Sequence, residues 1–279
     1  MSAHAQPSWC DPKAIETALE RDTAPDSAEV RDILNKSLEL QPLSLDETVA
    51  LMRVQDGMGV GRIMAVADEV KQRVYGDRIV LSAPLHISNH CGSECLYCAN
   101  RKSNKAIERK YMTPPEMRQA ALKLIRQGHK RIFLVSGQLP NADIEYLAEA
   151  ISILYTAFDG VGEVHSVNVN VGALESHEYA ALLESYVGTM LIYQDTYHEA
   201  SYRAAHISGP KSDYYARLNA ADVAFQAGVP DVGSGLMLGL GPWQYDLLGV
   251  VHHQAHLLRA YNAGCRTLSL HRMRCAPGS

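Results

Sequence analysis

The sequence predicts an α/β fold: a TIM-type β/α barrel preceded by a helical segment, with boundaries at 1–76 and 77–279. Three observations predict it. Short β-branched runs alternate six times with helix-length segments, the pattern of a parallel sheet covered by its own crossover helices. The leading residues carry only helical periodicity. Polar residues gather at the C-terminal ends of the predicted strands, where β/α barrels keep their chemistry.

The leading helices come first. "SAEVRDILNKSLEL" (27–40) and "SLDETVALMRV" (44–54) each open on Ser ahead of acidic residues, then run into an apolar stripe, which is N-cap chemistry. "GRIMAVADEVKQRVYG" (61–76) continues the pattern and ends on Gly76, a C-cap. The predicted strands follow at 79–88, 131–137, 164–172, 190–196, 231–240 and 267–274. Helices at 113–128, 143–155 and 212–228 lie between them. The last strand is the sixth, so either the barrel is an incomplete arc of six β/α units or the polypeptide is a fragment, cut after that strand. No internal repeat or low-complexity tract interrupts the series.

Bulk properties narrow the function. With 47% apolar and 20% charged residues the chain has enough for a core and is not disordered. A net charge of −5 without a Lys/Arg cluster argues against nucleic acid as a partner. "MSAHAQPSWCDPK" has no apolar signal region, and no run approaches the roughly 18 apolar residues of a membrane span. The expected setting is cytoplasmic, without a membrane partner, where clustered thiols point to metal or catalysis rather than disulfides.

Of six cysteines, three stand at ligand spacing: Cys91, Cys95 and Cys98, a C-x3-C-x2-C motif directly after the first predicted strand. Three unrelated buried thiols are rare in a loop this polar. Structural zinc would need a fourth ligand, His86 or His90, and usually paired knuckles. A [4Fe–4S] cluster takes thiolates as its normal ligands, and three leave one iron open to a cofactor or substrate.

On this motif, with Tyr97 just before its last cysteine, the sequence resembles the radical SAM enzymes. "NRKSNKAIERK", "GHKR", "VNVN", "YQDTYHEASYRAAHISGPKSDY", "DVGSGLMLGL" and "SLHRMR" make it similar to their tyrosine lyase branch, the [FeFe]-hydrogenase maturase HydG and the thiazole-pathway 2-iminoacetate synthase ThiH. "GHKR", "VNVN" and "SGPKSDY" lean toward the maturase, whose C-terminal domain has no counterpart in this sequence. The resemblance implies a [4Fe–4S] cluster and S-adenosyl-L-methionine as cofactors, and an electron donor such as ferredoxin or flavodoxin. The implied substrate is a small molecule, L-tyrosine or another amino acid. A 5′-deoxyadenosyl radical would take a hydrogen from the amino group of L-tyrosine. Cα–Cβ cleavage would then give p-cresol and 2-iminoacetate, for H-cluster maturation or thiamine thiazole synthesis. The competing class is a truncated, non-catalytic or merely metal-binding relative.

Residue roles follow. Cys91, Cys95 and Cys98 are the expected metal ligands, and Tyr97 matches the family's aromatic. Ser136 and Gln138 are expected at the methionine end of the cofactor; Gln138 stands where the family carries Glu and accepts a weaker hydrogen bond. Asn168 and Asn170 share a strand face and are expected to point into the barrel, toward cofactor or into a structural network. Gln194, Thr196 and His198 share a parity and form a candidate polar substrate wall; a loop-capping role is the alternative for His198. Arg272 and Arg274 are expected inside the barrel, one holding the substrate carboxylate, in "HRMRC" where the family has "PRLRP". "QETYH" has become "QDTYH", which retracts the Asp195 carboxylate by one methylene. The catalytic set is thus Arg272, His198 and Gln194. Gly233, Gly235, Gly239 and Gly241 flank a strand and read as tight packing or backbone approach, not a phosphate loop. His252, His253 and His256 read as a helix surface.

Overall fold

The computed structural model describes residues 4–138 and 143–278. Helices α1 (Pro12–Leu19), α2 (Ser27–Leu38), α3 (Leu45–Met52) and α4 (Gly57–Tyr75) precede the first strand. Strands follow as β1 (Ala83–Ser88), β2 (Glu94–Cys95), β3 (Arg131–Ser136), β4 (Ser166–Asn170), β5 (Met190–Leu191), β6 (His206–Ser208), β7 (Val232–Leu238) and β8 (Thr267–Arg272). Between them run α5 (Pro114–Arg126), α6 (Ile144–Thr156), α7 (Ser176–Leu183), α8 (Glu199–Ala205), α9 (Tyr214–Gln226) and α10 (Trp243–Tyr261). The chain forms two compact units, one of Ser8–Val80 with Pro242–Ala263, the other of Leu81–Gly241 with both chain ends.

In the helical unit, α10 packs with α1 and α3. Ser44 caps α3 in a reciprocal box: it accepts the Glu47 N–H at 3.2 Å, while Glu47 accepts the Ser44 N–H at 2.7 Å. For α2 the expected Ser27 is instead the first helical residue. Asp26 caps the helix, because its carboxylate accepts both the Ala28 and Glu29 N–H groups, at 2.9 and 2.8 Å. The α10 histidines also differ from expectation. His253 is 4% exposed, and Trp9 stacks on His253 and His256 at 4.3 and 5.0 Å. Nothing near them in sequence foretells the indole that covers them.

Burial, reinforced by His256 and His252, pushes the His253 imidazole down from 6.5 to about 3. The unfolded chain therefore takes up a proton that the folded one refuses, so stability is complete above pH 6.5 and falls as pH drops toward 3. The slope is at most about 1.4 kcal/mol per pH unit for one proton. Thermal melts from pH 7 to 4 are expected to show this fall and to lose part of it in His253→Phe; identical pH profiles would remove His253 from the account.

In the second unit, β1, β3, β4, β5, β7 and β8 form one parallel sheet in chain order. It is the expected six-stranded, incomplete TIM-type barrel. Alternate residues Leu85, Ile87, Ile132, Leu134, Val167 and Val169 are buried, as are Met117, Ala121 and Ile125 of α5 and Leu147, Ile151 and Leu154 of α6. Phe133, Val135, Asn168 and Asn170, of the opposite parity, are half-buried.

Three strands depart from expectation. The first begins at Ala83 rather than at 79, because β3 offers pairing only from there, Ala83 opposite Ile132. The fourth is two residues long: Asp195 turns to φ +66, although its N–H still reaches the Gly235 carbonyl at 3.1 Å. β8 is a sheet edge whose Leu268, Leu270 and Arg272 are exposed, so Arg272 is not enclosed as expected, and Arg274 lies beyond the strand, also exposed. A small antiparallel sheet of β2 and β6, with Glu94 opposite Ser208 and Cys95 opposite His206, was not expected. Among the described residues no helix is long and apolar enough to cross a membrane.

Candidate active site

The cysteine motif occupies the loop leaving β1, and its shape is set by what holds that loop. Met112 N–H donates to the Ile87 carbonyl at 2.8 Å. Gly92 N–H donates to the Gln138 carbonyl at 2.7 Å, and Leu96 N–H to the Ala205 carbonyl at 2.9 Å. The Arg109 guanidinium donates to the carbonyls of Asn89 (2.5 Å), Asn100 (3.0 Å), Arg101 and Asn104 (3.1 Å), so one side chain ties both ends of the loop. Asn104, itself buried, donates to the Ala99 carbonyl at 2.8 Å.

All three cysteines are free thiols, Cys95 buried and Cys91 and Cys98 half-buried. Ser93 N–H approaches the Cys91 Sγ at 3.5 Å and Asn100 N–H the Cys98 Sγ at 3.4 Å, bonds that favour thiolates. Burial works the other way, pushing the Cys95 thiol up to about 12 and raising Cys98. Metal binding overcomes this, because a coordinated thiol gives up its proton.

Among the described residues no three Cys, His, Asp or Glu side chains converge to hold a single metal ion. Such convergence is what structural zinc requires. A [4Fe–4S] cluster takes one thiolate per iron, so its ligands stand apart. Three free thiols on a tethered, partly buried loop fit the cluster as a donor set.

Tyr97 reaches into a polar cluster. Its hydroxyl donates to Asp195 Oδ2 at 3.1 Å and lies 2.9 Å from His206 Nε2. Lys211 Nζ donates to the same hydroxyl at 3.3 Å and forms an ion pair with Asp195. Burial, with Asp195 beside it, raises the Tyr97 phenol well above its usual value. Burial also pushes the Asp195 carboxyl up, but Lys211, His206 and Arg217 outweigh it and hold the group well below the carboxylate range. His206 Nδ1 faces the Tyr202 carbonyl at 2.7 Å, which can only accept, so that nitrogen carries a proton.

Other expected site residues surround the loop. Ser136 is buried and donates to the Gly137 carbonyl at 2.9 Å. The Gln138 side chain reaches Ser93 Oγ at 3.5 Å and the Ala173 carbonyl at 3.4 Å, so it joins the cysteine loop to the loop after β4. Asn168 Oδ1 accepts the Thr189 N–H at 3.2 Å, the structural use of that amide. Asn170 and Ser269 hydrogen-bond the Tyr193 phenol, which burial raises. Gly235 makes room for that ring: a Cβ there would lie 2.6 Å from it.

Gln194 and Thr196 are buried, and the Gln194 amide reaches the Thr196 carbonyl at 3.3 Å. His198 caps α8, its Nδ1 accepting the Ser201 N–H at 3.4 Å. A cavity of about 570 Å³ beside Tyr97 is lined by Leu96, Ala204, Leu240, Met273, Arg274 and Cys275, among others. Sequence reasoning missed Arg109, His206 and Lys211. The one signal was the "SGPK" turn, whose Gly209 lies against Gly92.

The profile of the radical SAM superfamily matches residues 85–244, from β1 to the start of α10. The 2-iminoacetate synthase of Escherichia coli is 26% identical over 247 residues, 88% of this chain and 64% of that protein. A crystal structure of HydG, a maturase of the [FeFe]-hydrogenase, superposes with a TM-score of 0.93 at 33% identity, covering 97% of this chain and 60% of that one. HydG from Carboxydothermus hydrogenoformans gives 0.85, also at 33%, over 96% and 61%. The chain thus spans less than two thirds of the length of these relatives. With the cysteine loop at the C-terminal end of β1 and this profile over more than half its length, the chain belongs to the radical SAM superfamily, whose members use a [4Fe–4S] cluster and S-adenosylmethionine.

Proposed function

We propose that the chain is a radical SAM carbon–carbon lyase that cleaves the Cα–Cβ bond of L-tyrosine to p-cresol and 2-iminoacetate, drawing its electron from a ferredoxin or flavodoxin. The observation that carries this reading is the match to HydG, 33% identical across 97% of the chain. The kinship with a 2-iminoacetate synthase over 88% of the chain supports the same product.

When bound, the cluster and S-adenosylmethionine would supply the radical chemistry. Cys91, Cys95 and Cys98 would hold the cluster, and Ser136 and Gln138, beside the cysteine loop, would meet the methionine moiety. The cavity beside Tyr97 has apolar walls for an aromatic ring and Arg274 to pair with a carboxylate. Arg272 is exposed and available for the same task, whereas Gln194 is buried and His198 is engaged in capping α8.

A second reading keeps the chemistry and changes the amino acid. Asp195 favours it: the family's carboxylate position is taken here by a shorter side chain, already spent on Lys211 and Tyr97. The two readings part in one experiment. Anaerobically reconstituted protein with S-adenosylmethionine, reductant and L-tyrosine is expected to release p-cresol. Cofactor cleavage without p-cresol would overturn tyrosine as substrate and favour another amino acid.

A further inference from the structure

Beside the cysteine loop lies an ion pair, its carboxylate buried and its ammonium half-buried, that the C-x3-C-x2-C motif does not by itself require. Asp195 is 4% exposed. Its backbone is fixed to β7 on both sides, its N–H on the Gly235 carbonyl at 3.1 Å and its carbonyl accepting the Met237 N–H at 2.8 Å. Lys211 is fixed equally well, but to the cysteine loop. Its N–H donates to Ser93 Oγ at 3.1 Å, and its carbonyl accepts the Tyr202 hydroxyl at 2.6 Å. Two residues earlier, Gly209 lies so close to the loop that a Cβ would stand 2.2 Å from the Gly92 carbonyl oxygen. The Lys211 ammonium and the Asp195 carboxylate meet under Tyr97, the neighbour of Cys98, and both touch its hydroxyl.

Bringing two charges out of water is costly, and such a pair is seldom a net source of stability. In a low-dielectric setting, however, fixed charges act strongly on a neighbouring redox centre. A cluster gains negative charge on reduction, so a nearby cation favours the reduced form and an anion the oxidised form.

We infer that Lys211 and Asp195 are positioning residues that set the reduction potential of the iron–sulfur cluster, Lys211 raising it and Asp195 lowering it. Neither lines the cavity beside Tyr97. The inference stands on the cluster that superfamily membership entails and is independent of which amino acid is cleaved.

The test is a redox titration, followed by electron paramagnetic resonance, of anaerobically reconstituted full chain. Lys211→Met is expected to shift the midpoint to more negative potential and Asp195→Asn to more positive potential. The double variant, which removes both members of the pair, should fall between them, and Lys211→Arg should keep the wild-type value. A merely structural role would lower iron content while leaving the potential of the loaded fraction unchanged, and that result overturns the inference. So do shifts of the same sign in both single variants. If Lys211→Met does not fold, Asp195→Asn decides alone: a positive shift sustains the inference, and no shift or a negative one ends it.

Discussion

Cys95→Ala is expected to yield a folded protein that, after anaerobic reconstitution, retains no stable [4Fe–4S] cluster. The superfamily's cluster rests on three thiolates, with the fourth iron kept for S-adenosylmethionine. Removing Cys95 leaves two protein ligands for four irons. Packing is not the limiting factor, because alanine fills most of the volume of a small buried thiol, at a cost of about 1 kcal/mol. Cys91→Ala and Cys98→Ala should behave alike, while Cys275→Ala, exposed and outside the C-x3-C-x2-C spacing although it shares a cavity with Leu96 and Tyr97, should load normally. Iron and sulfide analysis with visible absorption reads the outcome. Full iron content in Cys95→Ala, or its loss in Cys275→Ala, would assign the cluster to other ligands.

The cysteine motif was legible because it is short. Three thiols within eight residues stay together in any fold that keeps the loop, so spacing alone carried the chemistry. The sheet was legible for a similar reason: short β-branched runs separated by helix-length segments are a local pattern, and β1, β3 and β4 keep an alternation of burial along it. What could not be read were features made by distant partners. Lys211 meets Asp195 from 16 residues away and Tyr97 from 114, and no local pattern distinguishes it from a solvated lysine. Trp9 covers histidines more than 240 residues later, which turned an expected helix surface into a buried stack. Strands β2 and β6 are too short to show any period, yet they join the cysteine loop to the segment bearing His206. Arg109 has no local mark in the sequence, because only the folded loop turns four carbonyls toward it. Arg272 is expected to face into the barrel from the last strand, but β8 lies at the sheet edge and leaves it exposed, because no further strand follows to enclose it among the described residues.

Gly137→Ala is expected to be among the most damaging single-methyl changes in the second unit. The glycine directly follows β3, and its φ is not positive, so backbone conformation alone would accept alanine. The obstacle is contact. An added Cβ would stand 2.2 Å from the His90 carbonyl oxygen and 2.9 Å from the Cys91 Cβ. Neither is the end of a flexible side chain, so the backbone carrying Cys91 must move. Overpacking of this kind costs about 1–3 kcal/mol, and here the strain falls on a cluster ligand. Gly128→Ala provides the contrast. That residue has φ +90 and nothing within 4 Å of a Cβ, so its cost is conformational, about 1–2 kcal/mol, and remote from the cysteines. Both variants should melt at lower temperature than the parent, yet only Gly137→Ala should also lose iron. Equal iron content in the two would mean that the loop tolerates displacement at Cys91, and that the close approach of Gly137 serves packing rather than ligand placement.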